Sequence, residues 1–456
     1  MTARDRRVPL DPAELERLAA DAVARARRAG ADHAEVTASA SRSFSVRVHD
    51  GRIETLKQSA TRALALRVIA GGAVGEVSST DLTPAALDDL AAHAVALARF
   101  STPDEANRLP RPEETAADAP GDLGTYDPAV LAWDDEAKIA LALELERLAL
   151  AHDPRIRRSD GAGVSSRDGA RAVANSDGLV RSNAGTSASV WVVALADEGG
   201  GKQQTGVYSS TRRHLADLEG AAAVAAEAGR RAVSRLGARP VPTAKVPVVM
   251  HPDIAASWLS ELYDAFTAEA IMKKSSWLTG RLGEPIAAPI VTLVDDGRLP
   301  RGLGTTPWDS EGVPTRRNVL IERGRLAMFE YDAYHARRLG ERSTGNSAGG
   351  GIGYHNLHLE PGTESPEAIL RKVDRGFYLD DQGSFGFNSV TGDYSYQAQG
   401  FWIEDGEKTF PVEGVTVAST SLDMLQRVVA IGNDLKWDGA VCSPTLLIAE
   451  MTVSGT

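Results

Sequence analysis

The spacing of apolar and polar positions divides the first half of the chain into helical and extended stretches. Helical spacing begins where an N-cap residue precedes a proline, as at Asp11-Pro12 and Thr83-Pro84. Elsewhere apolar and polar residues alternate and break at Asp50-Gly51 and Gly71-Gly72, a pattern typical of antiparallel hairpins. The predicted helices cover residues 12–30, 83–100, 133–152 and 215–236, and the predicted hairpins fall within 33–79 and 172–212.

The order helix, strands, helix occurs twice in these predictions. This repetition indicates an internal duplication of an α/β unit, although two unrelated layers would give the same order. Between the two units, residues 101–128 are rich in Pro, Asp, Glu and Gly, so they are predicted to form a long surface connection.

A second domain is predicted after Arg239-Pro240-Val241-Pro242, where the composition becomes richer in glycine and strand-forming residues. Helices are expected over residues 252–270, 365–375 and 422–431, among many short strands. The sequence therefore predicts an α+β protein with an amino-terminal α/β domain of helices and antiparallel hairpins at 1–240. The carboxy-terminal domain, 241–456, is predicted to be strand-rich, with a curved or barrel-like sheet.

Charge and cysteine content narrow the class of function. The net charge is -12, which disfavours direct binding to nucleic acid or to anionic lipid. The chain has no apolar run long enough to span a bilayer, and its first ten residues are polar and basic, so we expect a cytoplasmic protein. Cys442 is the single cysteine, which excludes internal disulfides and Cys-x-x-Cys zinc sites.

Two groups of polar residues are candidates for chemistry. His355 and His358 lie three positions apart in a predicted strand, so their rings should point to opposite faces rather than to one metal ion. Asp309 and Glu311 resemble a catalytic carboxylate pair, but the nearby Arg316 and Arg317 favour an ordinary ion-pair network.

Other catalytic patterns are weak or missing. Serine hydrolysis has no support, because the one Gly-x-Ser-x-Gly match, Gly345-Asn346-Ser347-Ala348-Gly349, lies in a glycine-rich stretch without the following helix of a nucleophile elbow. The glycine-rich stretch at 345–353 lacks the Gly-Lys-Ser/Thr ending of a phosphate loop and is predicted to be a mobile loop beside a cleft.

Several ordered phrases in the second half resemble the TldD/PmbA family, and specifically its PmbA (TldE) branch. They are Ser275-Ser276-Trp277-Leu278, Trp308-Asp309-Ser310-Glu311-Gly312-Val313-Pro314-Thr315-Arg316, Ser343-Thr344-Gly345-Asn346, Thr391-Gly392-Asp393-Tyr394-Ser395, Gly400-Phe401-Trp402-Ile403-Glu404-Asp405-Gly406 and Ile431-Gly432-Asn433-Asp434. The first half matches more loosely, through Gly30-Ala31-Asp32-His33-Ala34-Glu35-Val36.

The resemblance implies a two-subunit metalloprotease in which the TldD branch holds a metal on a His-Glu-x-x-x-His helix and the PmbA branch does not. In the matching helix this chain has Ser260, Glu261 and Ala265, and none of its nine histidines is followed by Glu. Zinc or a similar metal is therefore expected in the partner and not in this chain. The TldD branch adds a cysteine ligand, but Cys442 lies too far along the chain to match it, and we expect a buried, inert thiol.

The implied function is that of a non-catalytic subunit that pairs with a TldD-type protein and helps to enclose unfolded peptides. Peptidase activity is expected only with that partner, and no catalytic residue is assigned to this chain. His355 and Asn356 are the candidate substrate-binding residues, although they could equally satisfy the backbone groups of their own turn. A free-standing peptide-binding adaptor is one alternative. The other is an independent hydrolase with a metal site built from His355 and nearby carboxylates.

Overall fold

A computed structural model describes residues 11–116, 121–383 and 386–455. The first ten residues, on which the expectation of a cytoplasmic protein partly rests, lie outside the described residues, as do 117–120 of the predicted connection. Within the described ranges, no helix is long and apolar enough to cross a membrane.

The amino-terminal part is one antiparallel sheet with helices against it. Its helices are α1 (Pro12–Arg28), α2 (Pro84–Ala98), α3 (Pro112–Thr115), α4 (Pro128–Ala132), α5 (Asp135–Ala151) and α6 (Ala221–Ser234). Its strands are β1 (His33–His49), β2 (Arg52–Ala70), β3 (Ala73–Ser79), β4 (Ile156–Asn175), β5 (Val180–Gly199) and β6 (Lys202–Arg212). The strand order is β3-β2-β1-β4-β5-β6, so the two hairpin series join where β1 pairs with β4.

Each half of this sheet has the same arrangement of a helix, three strands and a second helix. In each half a glycine of the edge strand lets the second helix approach the sheet backbone to backbone. A Cβ at Gly75 would lie 2.0 Å from the carbonyl oxygen of Ala94, and one at Gly206 would lie 2.0 Å from that of Ala228. The helices have small residues at these contacts, so the second helix packs against the edge strand in the same way in both halves. The duplication itself stays a prediction.

The two faces of the sheet differ in polarity. The face toward the helices is apolar, and its residues form two buried clusters, one with α1 and α2 and one with α5 and α6. On β1 the buried positions Val36, Ala38 and Ala40 alternate with the partly exposed Thr37 and Ser39. This alternation follows the two-residue period of a strand and leaves small polar side chains on the second face.

The carboxy-terminal part contains a closed barrel and a second sheet. Its helices are α7 (Pro252–Leu262), α8 (Ala268–Met272), α9 (Ala333–Leu339), α10 (Pro366–Leu370) and α11 (Ser421–Gln426). Its strands are β7 (Ala244–Met250), β8 (Leu293–Asp296), β9 (Arg317–Glu322), β10 (Arg325–Leu326), β11 (Leu357–Leu359), β12 (Arg375–Gln382), β13 (Phe387–Asn388), β14 (Asp393–Glu404), β15 (Glu407–Thr420), β16 (Val428–Ile431), β17 (Val441–Cys442) and β18 (Leu446–Ser454).

Closure of the barrel comes from one strand pairing. The order β12-β7-β18-β15-β14 is joined into a ring because β14 also pairs with β12. The other sheet has the order β10-β9-β8-β11-β17, and helix α7 lies between it and the barrel in one buried core. The α+β class with a barrel-like second part is thus confirmed.

Several predicted elements had different bounds, among them the helix predicted at 365–375, which ends at Leu370, and the one predicted at 215–236, which begins at Ala221. Strand β4 begins at Ile156 rather than near residue 172, because its first half carries charged residues and a bulge that hide the alternation. The helix predicted at 252–270 is broken after Leu262 by a 3-10 turn, Tyr263–Phe266. The helix predicted at 422–431 stops at Gln426, because the β-branched residues that follow form β16 against β18.

Candidate functional site

The carboxy-terminal end of helix α7 carries the three positions at which a metal-binding homologue is expected to hold its ion. The hydroxyl oxygen of Ser260 lies 3.2 Å from that of Tyr354. Glu261 accepts a hydrogen bond from the hydroxyl of Tyr396, which projects from barrel strand β14. Ala265 lies in the 3-10 turn that follows the helix and is 1% exposed. The barrel therefore orients the Glu261 carboxyl group through a tyrosine.

This set of side chains does not fit a divalent transition metal. It offers one carboxylate and the three hydroxyl groups of Ser260, Tyr354 and Tyr396, but no imidazole or thiolate, the ligands that zinc takes most often. Burial raises the pKa of Glu261, which disfavours its charged form. Among the residues that the structure describes, no group of three or more His, Cys, Asp or Glu side chains is placed to hold a metal ion.

Cys442 lies on β17, opposite His358 of β11. Its thiol donates a hydrogen bond to the carbonyl oxygen of Gly439 at 3.4 Å. Burial raises the pKa of this thiol, which lowers the fraction of the reactive thiolate form.

His355 lies in the interior and is 8% exposed. Its ring Nε2 is 2.8 Å from the carbonyl oxygen of Gly345, at the start of the glycine-rich loop. Its backbone N–H donates to the buried carboxylate of Asp295 at 2.8 Å. His358 lies on β11, where its ring makes an edge contact with Trp437, so the two histidines have separate surroundings.

Asn356 is fully buried, and both ends of its side-chain amide are bonded to the protein. Its Nδ2 donates to the carbonyl oxygen of Asp296 at 2.6 Å and to the hydroxyl of Thr305 at 2.9 Å. Its Oδ1 accepts from the backbone N–H of Gly304 at 2.9 Å. The sequence suggested that His355 and Asn356 either bind substrate or satisfy backbone groups of their own turn. In the structure both side chains hydrogen-bond to neighbouring loops and hold them in position. Whether peptide binding depends on them stays a prediction.

Asp309 and Glu311 were expected to pair with Arg316 and Arg317, and this expectation was wrong. Asp309 instead accepts hydrogen bonds from the backbone N–H groups of Glu311, Val313 and Ser347, at 2.9–3.0 Å. Glu311 accepts from the N–H that begins helix α9, and Arg317 pairs with Glu360. Backbone donors replace the arginines because both carboxyl groups are buried, whereas the Arg317 side chain is half exposed.

A polar groove on the outside of the barrel was missed by the motif search. Its volume is about 360 Å³, and its polar lining includes Gln382, Gln397, Gln399 and Thr416. On β14 the buried residues Tyr394, Tyr396 and Ala398 face inward, so the residues between them face the groove. The only sequence signal for this groove is the alternation of apolar and polar residues along β14, because the groove contains no recognisable motif.

Three arginines of the amino-terminal sheet join it to the carboxy-terminal part. Each donates to backbone carbonyl groups: Arg171 to Trp308 and Asp309, Arg181 to Gly312, and Arg213 to Gly302, Leu303 and Thr305. Residues 302–305 and 308–312 of the carboxy-terminal part are therefore bonded directly to the amino-terminal part.

Comparison with known proteins agrees with this architecture. Models described as PmbA/TldA metallopeptidase domain 1, central domain and C-terminal domain match residues 34–98, 129–236 and 243–455. Metalloprotease PmbA of Escherichia coli O157:H7 is 33% identical over 424 residues, which cover 93% of this chain and 92% of that protein. A metalloprotease TldD homolog of Haemophilus influenzae is 28% identical over 355 residues, or 70% of this chain and 72% of that protein.

The crystal structure of TldE from Thermococcus kodakarensis superposes with a TM-score of 0.85 at 25% sequence identity, over 96% of this chain and all of that one. The helix-covered sheet and the closed barrel are therefore the architecture of a metallopeptidase-type protein. The chain belongs to the PmbA/TldD family.

Proposed function

We propose that this chain is the non-catalytic subunit of a two-chain metallopeptidase and that it acts with a TldD-type partner. The observation that carries this proposal is the chemistry at the end of α7, where Ser260 and Ala265 provide no imidazole. Glu261 is held by Tyr396 and has no metal-bound water to activate. The zinc or similar metal belongs, in this proposal, to the partner subunit.

The substrate class that suits the chain is unfolded peptide. The polar groove beside β14 presents glutamine side chains, whose amides both donate and accept hydrogen bonds. Such groups bond to the main chain of an extended peptide whatever its side chains are, so recognition tolerates many sequences. Gln397 is exposed and Gln399 partly exposed, so both are accessible for this contact.

His355 and Asn356 contribute to peptide binding through the loops that they hold. Their hydrogen bonds fix Gly345 and Gly304, and the glycine-rich loop continues from Gly345 to Gly353. Substituting either residue by alanine should weaken the apparent affinity for peptide, because a loop that is free to move loses the geometry of binding.

The decisive experiment combines this chain, a TldD-type subunit and a disordered peptide, and measures metal content, complex formation and peptide cleavage. We expect cleavage to need the partner and to increase when this chain is added. Glu261→Gln should retain nearly full turnover, because a glutamine can still accept from Tyr396. The pair Gln397→Ala and Gln399→Ala should raise KM with little change in kcat.

Three outcomes would contradict the proposal. Near one equivalent of zinc per isolated chain, lost in a His355 variant, would indicate an independent hydrolase. Peptide binding with no effect on any TldD-type subunit would indicate a free-standing adaptor. Loss of cleavage in an intact Glu261→Gln complex would show that this chain takes part in the chemical step.

A further inference from the structure

The loop 308–315 of the carboxy-terminal part is seated on the second face of the amino-terminal sheet. Arg171 of β4 donates to the carbonyl oxygens of Trp308 and Asp309 at 3.3 and 3.1 Å. Arg181 of β5 donates to that of Gly312 at 2.8 Å and lies 5.1 Å from the ring of Trp308. The cations at this junction thus bond to backbone carbonyls of the loop.

The carboxyl groups at the same junction are buried, and their charge is not balanced by an ion pair within the described residues. Glu35 of β1 is 8% exposed, and its Oε2 has no hydrogen-bond partner. Its neighbour across the strand pair is Arg67, which forms an ion pair with Glu76 at 3.4 Å. Glu311 is 7% exposed and Asp309 is 1% exposed. Among the described residues, no ion pair joins any of these three carboxyl groups to a cation.

Other charged groups face the cluster from each element packed around it. They are Arg67 of β2, Glu76 of β3, Arg171 of β4, Arg181 of β5, Arg316 before β9, Asp332 at the start of α9, Arg337 of α9 and His355 before β11. The acidic members of this set oppose ionisation of the cluster, whereas the arginines favour it.

Burial is the largest influence on all three carboxyl groups. It raises the pKa of Glu35 to about 7, although Arg67 opposes the rise. Burial also raises the pKa of Asp309, against its three backbone donors, and it raises that of Glu311 well above the usual range together with the charge of Asp309. Interacting groups of this kind titrate as a set, so their protons belong to the cluster as a whole.

We propose that Glu35, Asp309 and Glu311 form a proton-dependent latch between the sheet and the loop 308–315. The seated loop holds at least one proton that the opened loop releases, because burial without an ion pair favours the neutral form of a carboxyl group. Rising pH therefore loosens the loop. The glycine-rich loop follows it, since the backbone N–H of Ser347 donates to Asp309 and the carbonyl oxygen of Ser347 accepts from the N–H of Ser310.

The sign of the effect follows from proton binding. Because the pKa of Glu35 is raised, the folded state carries protons that the unfolded chain loses, so stability falls as pH rises from about 4.5 to about 7. One extra bound proton changes the unfolding equilibrium constant tenfold per pH unit. Above that window the part of the loss that belongs to Glu35 is complete, and Glu311, whose pKa is raised further, extends the fall to higher pH.

The test compares the pH dependence of stability in the full chain and in two variants. Glu35→Gln removes the titrating group, and Glu105→Gln removes an exposed carboxylate as the matched control. We expect the urea midpoint of wild type and of Glu105→Gln to fall between pH 5 and 7.5, and that of Glu35→Gln to change less. Hydrogen-exchange protection of residues 308–315, corrected for intrinsic rates, should fall with pH only where Glu35 is present.

A second variant keeps the test decisive if Glu35→Gln does not fold. Glu311→Gln retains an acceptor for the N–H of Ala333 and should also flatten the pH profile. Equal slopes for wild type, Glu311→Gln and Glu105→Gln would overturn the latch. So would protection of residues 308–315 that does not change with pH in the wild-type chain.

Discussion

Replacing Asn356 by alanine should destabilise the chain strongly, because the side chain makes three hydrogen bonds in a fully buried position. The truncation leaves the N–H of Gly304 without its acceptor and the carbonyl of Asp296 without this donor. A buried polar group left without a partner costs about 1–3 kcal/mol, so the loss should be about 3–5 kcal/mol in the free energy of unfolding. That is a large share of the roughly 5–15 kcal/mol of a typical domain.

Urea unfolding of the isolated chain measures this loss directly. Asn433→Ala is the matched control, because Asn433 is exposed and makes one long side-chain bond, 3.5 Å to the carbonyl of Thr363. The control should change stability by less than about 0.5 kcal/mol. If Asn356→Ala were as stable as Asn433→Ala and yet bound peptide poorly in the assembled protease, Asn356 would be a direct peptide contact and its buried bonding would not describe the protein.

Two further changes test other parts of the structure. Gly206→Ala should destabilise by about 1–3 kcal/mol or more, because its Cβ would lie 2.0 and 2.3 Å from backbone atoms of α6. Gly220→Ala, whose Cβ would meet nothing within 4 Å, should not, and equal urea midpoints would refute this packing. The double variant Ser260→His and Ala265→His should bind no stoichiometric zinc by elemental analysis, since a third ligand and its supporting shell are missing and residue 265 is tightly packed. Zinc-dependent cleavage by that variant alone would refute this expectation.

Local patterns predicted the elements of the fold whose stability is local. The N-cap of α1 is one case, since Asp11 accepts from the N–H of Ala13 as its position before Pro12 predicts. The hairpin turns at Asp50-Gly51 and Gly71-Gly72 are another. The pairing of β7 with β18 in the barrel could not be predicted in this way, because its partners, such as Met250 and Leu446, are distant in sequence.

The candidate site also has one part that the sequence could predict and another that only the fold determines. The sequence alone identifies Ser260, Glu261 and Ala265 as a helix end without imidazoles, because that statement concerns residue identity. The sequence could not show that Tyr396 orients Glu261, since the barrel supplies that contact from 135 positions away. The same limit explains the wrong pairing for Asp309 and Glu311. Nearby arginines in sequence suggested ion pairs, whereas burial selected backbone N–H donors.

The join between β1 and β4 has a consequence for a chain cut to its first half. Separated from β4, strand β1 would present an open edge of 17 residues, which is a template for pairing with another strand. Because β1 and β4 are antiparallel and occupy matching places in the two halves, a second copy of residues 11–100 could take the place of the missing half. The product would be a closed two-fold dimer with the six-stranded sheet restored, and not an open fibre.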